Sequence, residues 1–391
     1  MEKQPGSSAL IPGLMFFVFF ASASMLLPFF GLHYRSVGMT ESQVGVLAGL
    51  KPLMVVFGAG ISSAAADATG RHATVLAVVL MGMALTVFGI LHAASFPLLF
   101  VLTLMFAFCF ASVGPILDNT TLHMLGSRAD SFGRVRVWGG IGWAIAAFAI
   151  GYGVEHWGLV VSFYGFIGGM MASLVVSRFL RVPRSGFAGG MLSGLGTILR
   201  TKGWPRFLAL MFFGGLGIGV MNSYLLMYMQ DIGSSGRLMG IAVSIGTVSE
   251  LALFVFAPLL LARVGPRRLI IASLFGNGIR LIAYSVTVVP LLVLPIQMLH
   301  GAAFGLLLIG GVSYAARIAP PGLGTAAQGV MNSAVFGAGA FGGAVFGGAL
   351  YQHLGPLVMF RVIGAVVLGA ALLFSLVPGL APRDAVPHRT T

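Results

Sequence analysis

Runs of about twenty residues with almost no charge recur along this chain, and that length is what a helix needs to cross a lipid bilayer. In hydrocarbon every backbone N–H and C=O must be satisfied within the protein, so each run becomes either a helix or a strand of a closed barrel. The alternation of a barrel strand is absent, which leaves helices. Spans read at 9–34, 97–125 and 290–314, and at intervals between, so that 391 residues accommodate about twelve. The composition agrees: 58% of residues are hydrophobic and 8% charged, against roughly 25% charged in a soluble domain. Glycine, at 57 residues, is about twice as frequent as usual, and its even spread suits helices packed through small residues. The expected fold is an all-α integral membrane protein of twelve transmembrane helices.

The longest gap between spans, 181–204, divides the chain into a half at 1–180 and a half at 205–391, each of six spans. This linker carries Arg181, Arg184, Arg200 and Lys202, and the termini on the same side carry Lys3, Arg383 and Arg389. The opposite loops hold only Arg35 and Arg237. Positive-inside bias therefore places the linker and both termini in the cytoplasm, in a cell's inner membrane. The net charge of +13 is accounted for by this asymmetry and calls for no nucleic-acid partner; the lipid bilayer is the partner it implies. Ala21-Ser22-Ala23 resembles a signal-peptidase site, but the apolar run continues through Phe30, so the first span is retained. Cys109 is the sole cysteine and excludes an intrachain disulfide. Lysines stand only at 3, 51 and 202, so no phosphate-binding G-x-x-x-x-G-K-[ST] exists. No cofactor, metal site or catalytic residue is read from the sequence. Gly60-Ile61-Ser62-Ser63 fits an intramembrane protease pattern only formally, and the chain reads as no enzyme.

Ionisable residues inside a span are expensive and normally face a cavity or a partner. Glu250, Arg280 and His300 each lie about 15–18 Å into their spans, near the bilayer centre, a shared depth that allows them to form one constellation. A carboxylate beside a guanidinium stays ionised, so an event that shifts Arg280 makes Glu250 take up or release a proton. A permanent structural ion pair is the competing reading. Lys51 stands about 12 Å inside its span, as a cavity-facing ammonium or an outward snorkel. Counting Lys51, Arg136, Arg280 and Arg361 against Asp118 and Glu250, the spans hold an excess of cations that an anionic substrate would balance. Arg136 and Trp143 are two helical turns apart and share a face, so the indole could stack on a ring, or could simply fill the bundle. Gln328 with Asn332, and Asn277 with Arg280, place hydrogen-bonding groups on single faces, for substrate or for helix contact. Gly339, Gly343 and Gly347 permit close helix approach, and Gly114-Pro115 should bend the fourth span near Asp118.

Asp67-Ala68-Thr69-Gly70-Arg71 follows the second span and Val264-Gly265-Pro266-Arg267-Arg268 the eighth. Gly70 and Gly265 are 195 residues apart, half of 391, which suggests a parallel internal repeat. With its six-plus-six layout, the chain here resembles the major facilitator superfamily. The segments Phe132-Gly133-Arg134-Val135-Arg136, Gly142-Trp143, Ser249-Glu250, Gly278-Ile279-Arg280, Gln297-Met298-Leu299-His300 and Leu350-Tyr351-Gln352-His353-Leu354-Gly355 are similar to its branch of lactose permease- and phenylpropionate permease-like proton symporters. The resemblance implies two six-helix pseudo-repeats around a polar cavity, working by alternating access as a monomer. It implies that Asp67, Gly70 and Arg71 act in gating. Substrate binding would involve Lys51, Asp118, Arg136, Trp143, Asn277, Arg280, Gln328 and Asn332, and proton coupling Glu250, His300 or Asp118. Two departures stand out: Ala303 replaces the carboxylate that follows this histidine in lactose permease, and Asn222 and Ser223 stand where span seven of that permease has acids. The function expected is proton-coupled uptake of a small organic solute, with an aromatic or other carboxylate first and a sugar or nucleoside next. A drug exporter is a further alternative, and a receptor without transport is the reading from a different class.

Overall fold

The computed structural model describes residues 9–69, 72–180 and 195–376, the side chains of 58–69 and 72 excepted. Every regular element among the described residues is helical. The first rod, α1 (Leu10–Ser36), passes through a 3₁₀ turn at Leu27–Phe29, where Pro28 removes a ladder hydrogen bond. It is followed by α2 (Glu41–Thr69), α3 (His72–His92), α4 (Phe96–Leu125), α5 (Phe132–Trp157) and α6 (Val160–Ser177). After the short α7 (Leu195–Arg200) come α8 (Trp204–Asp231), α9 (Gly236–Val255) and α10 (Ala257–Arg263). The chain ends with α11 (Pro266–Val286), α12 (Pro290–Ile318) and α13 (Gly324–Leu376).

Nine stretches of the described residues are long and apolar enough to cross a membrane. Two of them, Phe96–Trp157 with 62 residues and Gly324–Leu376 with 53, far exceed the roughly 20 residues of one crossing. Each is interrupted by a glycine in the left-handed region that other residues avoid, Gly126 at φ 53° and Gly355 at φ 80°. Pro356 follows the second of these and cannot extend the preceding helix. The bend expected at Gly114-Pro115 does not interrupt α4, which runs unbroken to Leu125. Two irregularities were not legible in the sequence. Gly301–Gly305 of α12 and Ser333–Gly339 of α13 are π-helical, and the rings of Phe304 and Phe336 meet at 5.9 Å.

The packing repeats. Among the helices before residue 180, α1 packs on α5, α2 on α4 and α3 on α6; after residue 195, α8 packs on the first part of α13, α9 on α12 and α11 on the second part of α13. The two sets meet through α5 on α9 and α2 on α13. Lipid gives apolar helices little reason to associate, so close backbone approach through small residues has to do it. At Gly343 a Cβ would collide with the backbone carbonyl of Leu216, and at Gly151 it would come within 2.7 Å of Gly240 Cα. Buried hydroxyls return their hydrogen bonds to the preceding turn, as Thr120 does to Ile116 and Thr121 to Leu117, both at 2.7 Å.

These contacts predict that Gly343→Ala lowers thermal stability in detergent by about 1–3 kcal/mol, the cost of overpacking a filled contact. Gly369→Ala, which meets nothing within 4 Å, serves as the control. A Gly343→Ala variant that unfolds at the control's temperature would show that the α8–α13 contact is looser than described.

Candidate functional site

Glu250 on α9, Arg280 on α11, and Gln297 and His300 on α12 form one connected polar chain. Arg280 is only 3% exposed. Its Nη2 donates to Oε1 of the buried Gln297, and its Nη1 lies 3.1 Å from Nδ1 of His300. A guanidinium offers no acceptor, so Nδ1 must present its lone pair to Arg280 and the imidazole proton resides on Nε2. That Nε2 faces Oε2 of Glu250 at 3.6 Å, too far for a well-formed hydrogen bond. The sequence suggested a carboxylate beside a guanidinium. In the structure His300 stands between them, because Gln297 and the imidazole occupy the terminal nitrogens of Arg280. The Arg280 Nε and the Tyr284 hydroxyl are buried without hydrogen-bond partners, and the guanidinium carbon lies 5.8 Å from the centre of the Tyr284 ring.

His300 immediately precedes the π segment of α12 and stacks on Phe304 at 5.5 Å, with the rings inclined by 10°. Phe304 touches Phe336, and Gly337 beside it packs against Pro52 and Val56 of α2. One residue before Pro52 is Lys51, half-buried, with its Nζ 5.5 Å from the centre of the Phe110 ring and no carboxylate partner among the described residues. Ala303, three residues after His300, is buried within the π segment.

Asp118 and Arg136 pair across α4 and α5 at 2.8 Å, with 34% and 53% of their side chains exposed. Trp143 is half-buried on α5. Asn277 is directed into α8, where its Nδ2 donates to the carbonyl of Gly214 at 3.3 Å; its Oδ1 is buried and unpartnered. Gln328 donates to the carbonyl of Val312 at 3.0 Å, whereas Asn332 is exposed. Arg361 is exposed, beside the carbonyl of Ser285. Asp67 belongs to α2, but its side chain lies outside the described residues, as do Gly70 and Arg71.

A second cluster escaped sequence reasoning. At the end of the bundle where α1 turns into α2, Arg35 pairs with Asp231 at 2.6 Å and with Glu41 at 3.2 Å. The Tyr351 hydroxyl donates to Asp231, and the Arg35 guanidinium lies 5.3 Å from the Tyr351 ring centre. Nearby, the backbone N–H of Ser42 donates to Gln352 and that of Arg237 to Glu155. These bonds join helices before residue 180 to helices after residue 195. A signal was available: only nine acids occur in the chain, and Glu41 opens α2 while Glu155 and Asp231 stand near the C-terminal ends of α5 and α8.

Comparison with known proteins converges on one group. Residues 13–362 match the family described as the MFS_1 like family. The maltose permease of Geobacillus stearothermophilus is 24% identical over 311 residues, covering 78% of each chain. A protein named as the probable 3-phenylpropionic acid transporter of Escherichia coli (strain K12) is 25% identical over 369 residues, 92% of this chain and 95% of that one. Among solved structures, the nucleoside transporter NupG superposes with a TM-score of 0.83 at 16% identity, over 94% of this chain and 98% of that chain, which speaks for a shared fold. With the family match spanning most of its length, this chain belongs to the MFS_1 like family of the major facilitator superfamily, a family of multi-pass membrane transporters.

Proposed function

We propose that the protein is a proton-coupled symporter of twelve membrane spans that takes up a small organic anion, best an aromatic or other carboxylate. It acts as a monomer in the inner membrane with both termini cytoplasmic. A half at 1–180 and a half at 205–391 rock about a central site, joined by the linker 181–204. The observation that carries the reading is the pair Lys51 and Arg280: two cations within the bundle that lack a carboxylate partner among the described residues. A buried charge paired only with neutral groups remains costly, and a ligand carboxylate would relieve that cost.

Proton coupling follows from the order of the chain. While Arg280 donates to Nδ1, His300 cannot be protonated there. A carboxylate that draws Arg280 away frees the Nδ1 lone pair; the imidazole takes up a proton and pairs as an imidazolium with Glu250. Loss of the substrate lets Arg280 return, and the proton leaves. Ala303 plays no part in this route. A sugar or nucleoside is the second reading, favoured by the Asp118–Arg136 pair, whose charges cancel and leave donors and acceptors for hydroxyls, with Trp143 two turns along the same helix. The names of the maltose permease and of NupG point the same way.

Glu250→Gln removes the counter-ion of the imidazolium, and an amide cannot titrate. It should abolish solute-driven alkalinisation in proteoliposomes while leaving the protein folded; unchanged proton uptake would exclude Glu250 from coupling. Arg280→Lys keeps the charge but loses the planar fork that serves Gln297 and His300 together, so carboxylate binding should fall, and binding at the wild-type level would contradict the anion site.

The polar links at the α1–α2 end support an inward-facing arrangement, closed on the outside by Arg35, Asp231 and Tyr351. Opening outward would break them. In a Cys109→Ser, Lys51→Cys background, Arg35→Ala and Asp231→Ala should each speed labelling by a membrane-impermeant maleimide in intact cells about fivefold, as loss of roughly 1 kcal/mol of ion pairing implies. Labelling rates equal to the parent's would show that this cluster does not hold the outer end shut.

A further inference from the structure

Between α3 and α6, on the outer wall of the bundle, runs a groove of about 590 Å³ lined by Thr74, Ala77, Val78, Met81, Leu174 and Arg178, among others. Its lining includes none of Lys51, Glu250, Arg280, Gln297 and His300. Its walls are apolar and open outward: Val78 and Leu85 are each 63% exposed and Met81 is 38% exposed. Along α3 the lining extends from Ala73 to Leu85, about 18 Å of helix. That is slightly more than half of a hydrocarbon core about 30 Å thick, so the groove runs from one membrane surface to the middle of the bilayer. Such a depth fits the acyl chain of a lipid in a single leaflet.

The surface end of the groove is polar and positive. Arg178 follows the last residue of α6 and is exposed, and its guanidinium has no hydrogen-bond or ion-pair partner among the described residues. Thr74, also exposed, lines the same end in the first turn of α3. This end of the bundle is the one at which the chain enters α1 and leaves α6. A guanidinium at the headgroup level, above an apolar trough as deep as one leaflet, is complementary to a phosphodiester joined to acyl chains. We propose that this groove is a binding site for an anionic glycerophospholipid, the phosphodiester on Arg178 and Thr74 and one acyl chain along Ala77, Val78, Met81 and Leu85. The occupant stabilises the α3–α6 contact without entering the transport path.

A cation at a helix C-terminus also gains from the helix dipole, so the test separates that effect from lipid binding. Purified protein is delipidated in detergent, its thermal unfolding is recorded, and it is then titrated with phosphatidylglycerol or phosphatidylcholine, with bound lipid counted by native mass spectrometry. Wild type should retain phosphatidylglycerol in preference to phosphatidylcholine and unfold at a higher temperature with it. Arg178→Gln should bind phosphatidylglycerol about fivefold more weakly, the loss expected for one headgroup arginine, and should lose the preference. Ala77→Trp, which fills the trough and leaves Arg178 in place, should lose both lipids alike. Inorganic phosphate and glycerol 3-phosphate should neither stabilise the protein nor displace the lipid, because they lack the acyl chain. Equal phosphatidylglycerol retention by wild type and Arg178→Gln would overturn the proposal, as would stabilisation by phosphate alone. A stability loss in Arg178→Gln that is as large without lipid as with it would assign Arg178 to the helix end instead.

Discussion

A guanidinium that cannot lose its proton is buried in α11, and the arrangement around it follows from that constraint. Arg280 remains charged at any physiological pH. At 3% exposure it has little access to water. Gln297 and His300 each take one bond from its terminal nitrogens but contribute no negative charge. The acid of this cluster, Glu250, reaches it only through the imidazole. Each terminal nitrogen thus has one partner, while Nε has none and the charge is unmatched, a state that helix packing must hold and that an anion would relieve.

Packing supplies that support through contacts repeated in the two helix sets. The α8–α13 contact, close enough at Gly343 to exclude a Cβ, parallels α1–α5, where Gly142 meets the backbone of Phe17. The two π segments depart from this regularity at the point where it matters to the site. One begins beside His300 and the other carries Phe336 and Gly337, so that Phe304, Phe336 and Val56 link the polar chain to the helix of Lys51. π-bulges inside helices frequently accompany functional sites. Here they connect the two cations to which the proposed function assigns one ligand.

Hydropathy made the long helices legible because lipid imposes one demand on every backbone group. The fourth span, expected at 97–125, is Phe96–Leu125, and the tenth, expected at 290–314, is Pro290–Ile318. Burial cost likewise singled out Glu250, Arg280 and His300 as residues that needed partners. The order in which they touch was not legible, because it depends on how α9, α11 and α12 cross, and helical spacing within one segment says nothing about crossing. Gln297 was visible only as part of a motif; its role as acceptor for Arg280 arises across 17 residues and a turn. Asn277 shows the reverse: it shares a helix face with Arg280 by spacing, yet its amide is directed to Gly214. The Arg35–Asp231 pair spans 196 residues, close to the 195-residue offset of the repeat, and joins equivalent ends of α1 and α8. Only the packing of the two sets brings those ends together.

The central claim is that an anion moves Arg280 and thereby transfers a protonation site to His300 and Glu250. It is tested most directly by calorimetric titration of the purified protein with a carboxylate chosen by thermal shift, in buffers of different ionisation enthalpy at a fixed pH within about 5 to 8, where imidazole titrates. The dependence of the observed heat on the buffer gives the protons exchanged per ligand bound. The account predicts net uptake approaching one proton in the wild type and none in Glu250→Gln. Carboxylate binding that exchanges no protons with the buffer across that range would contradict it.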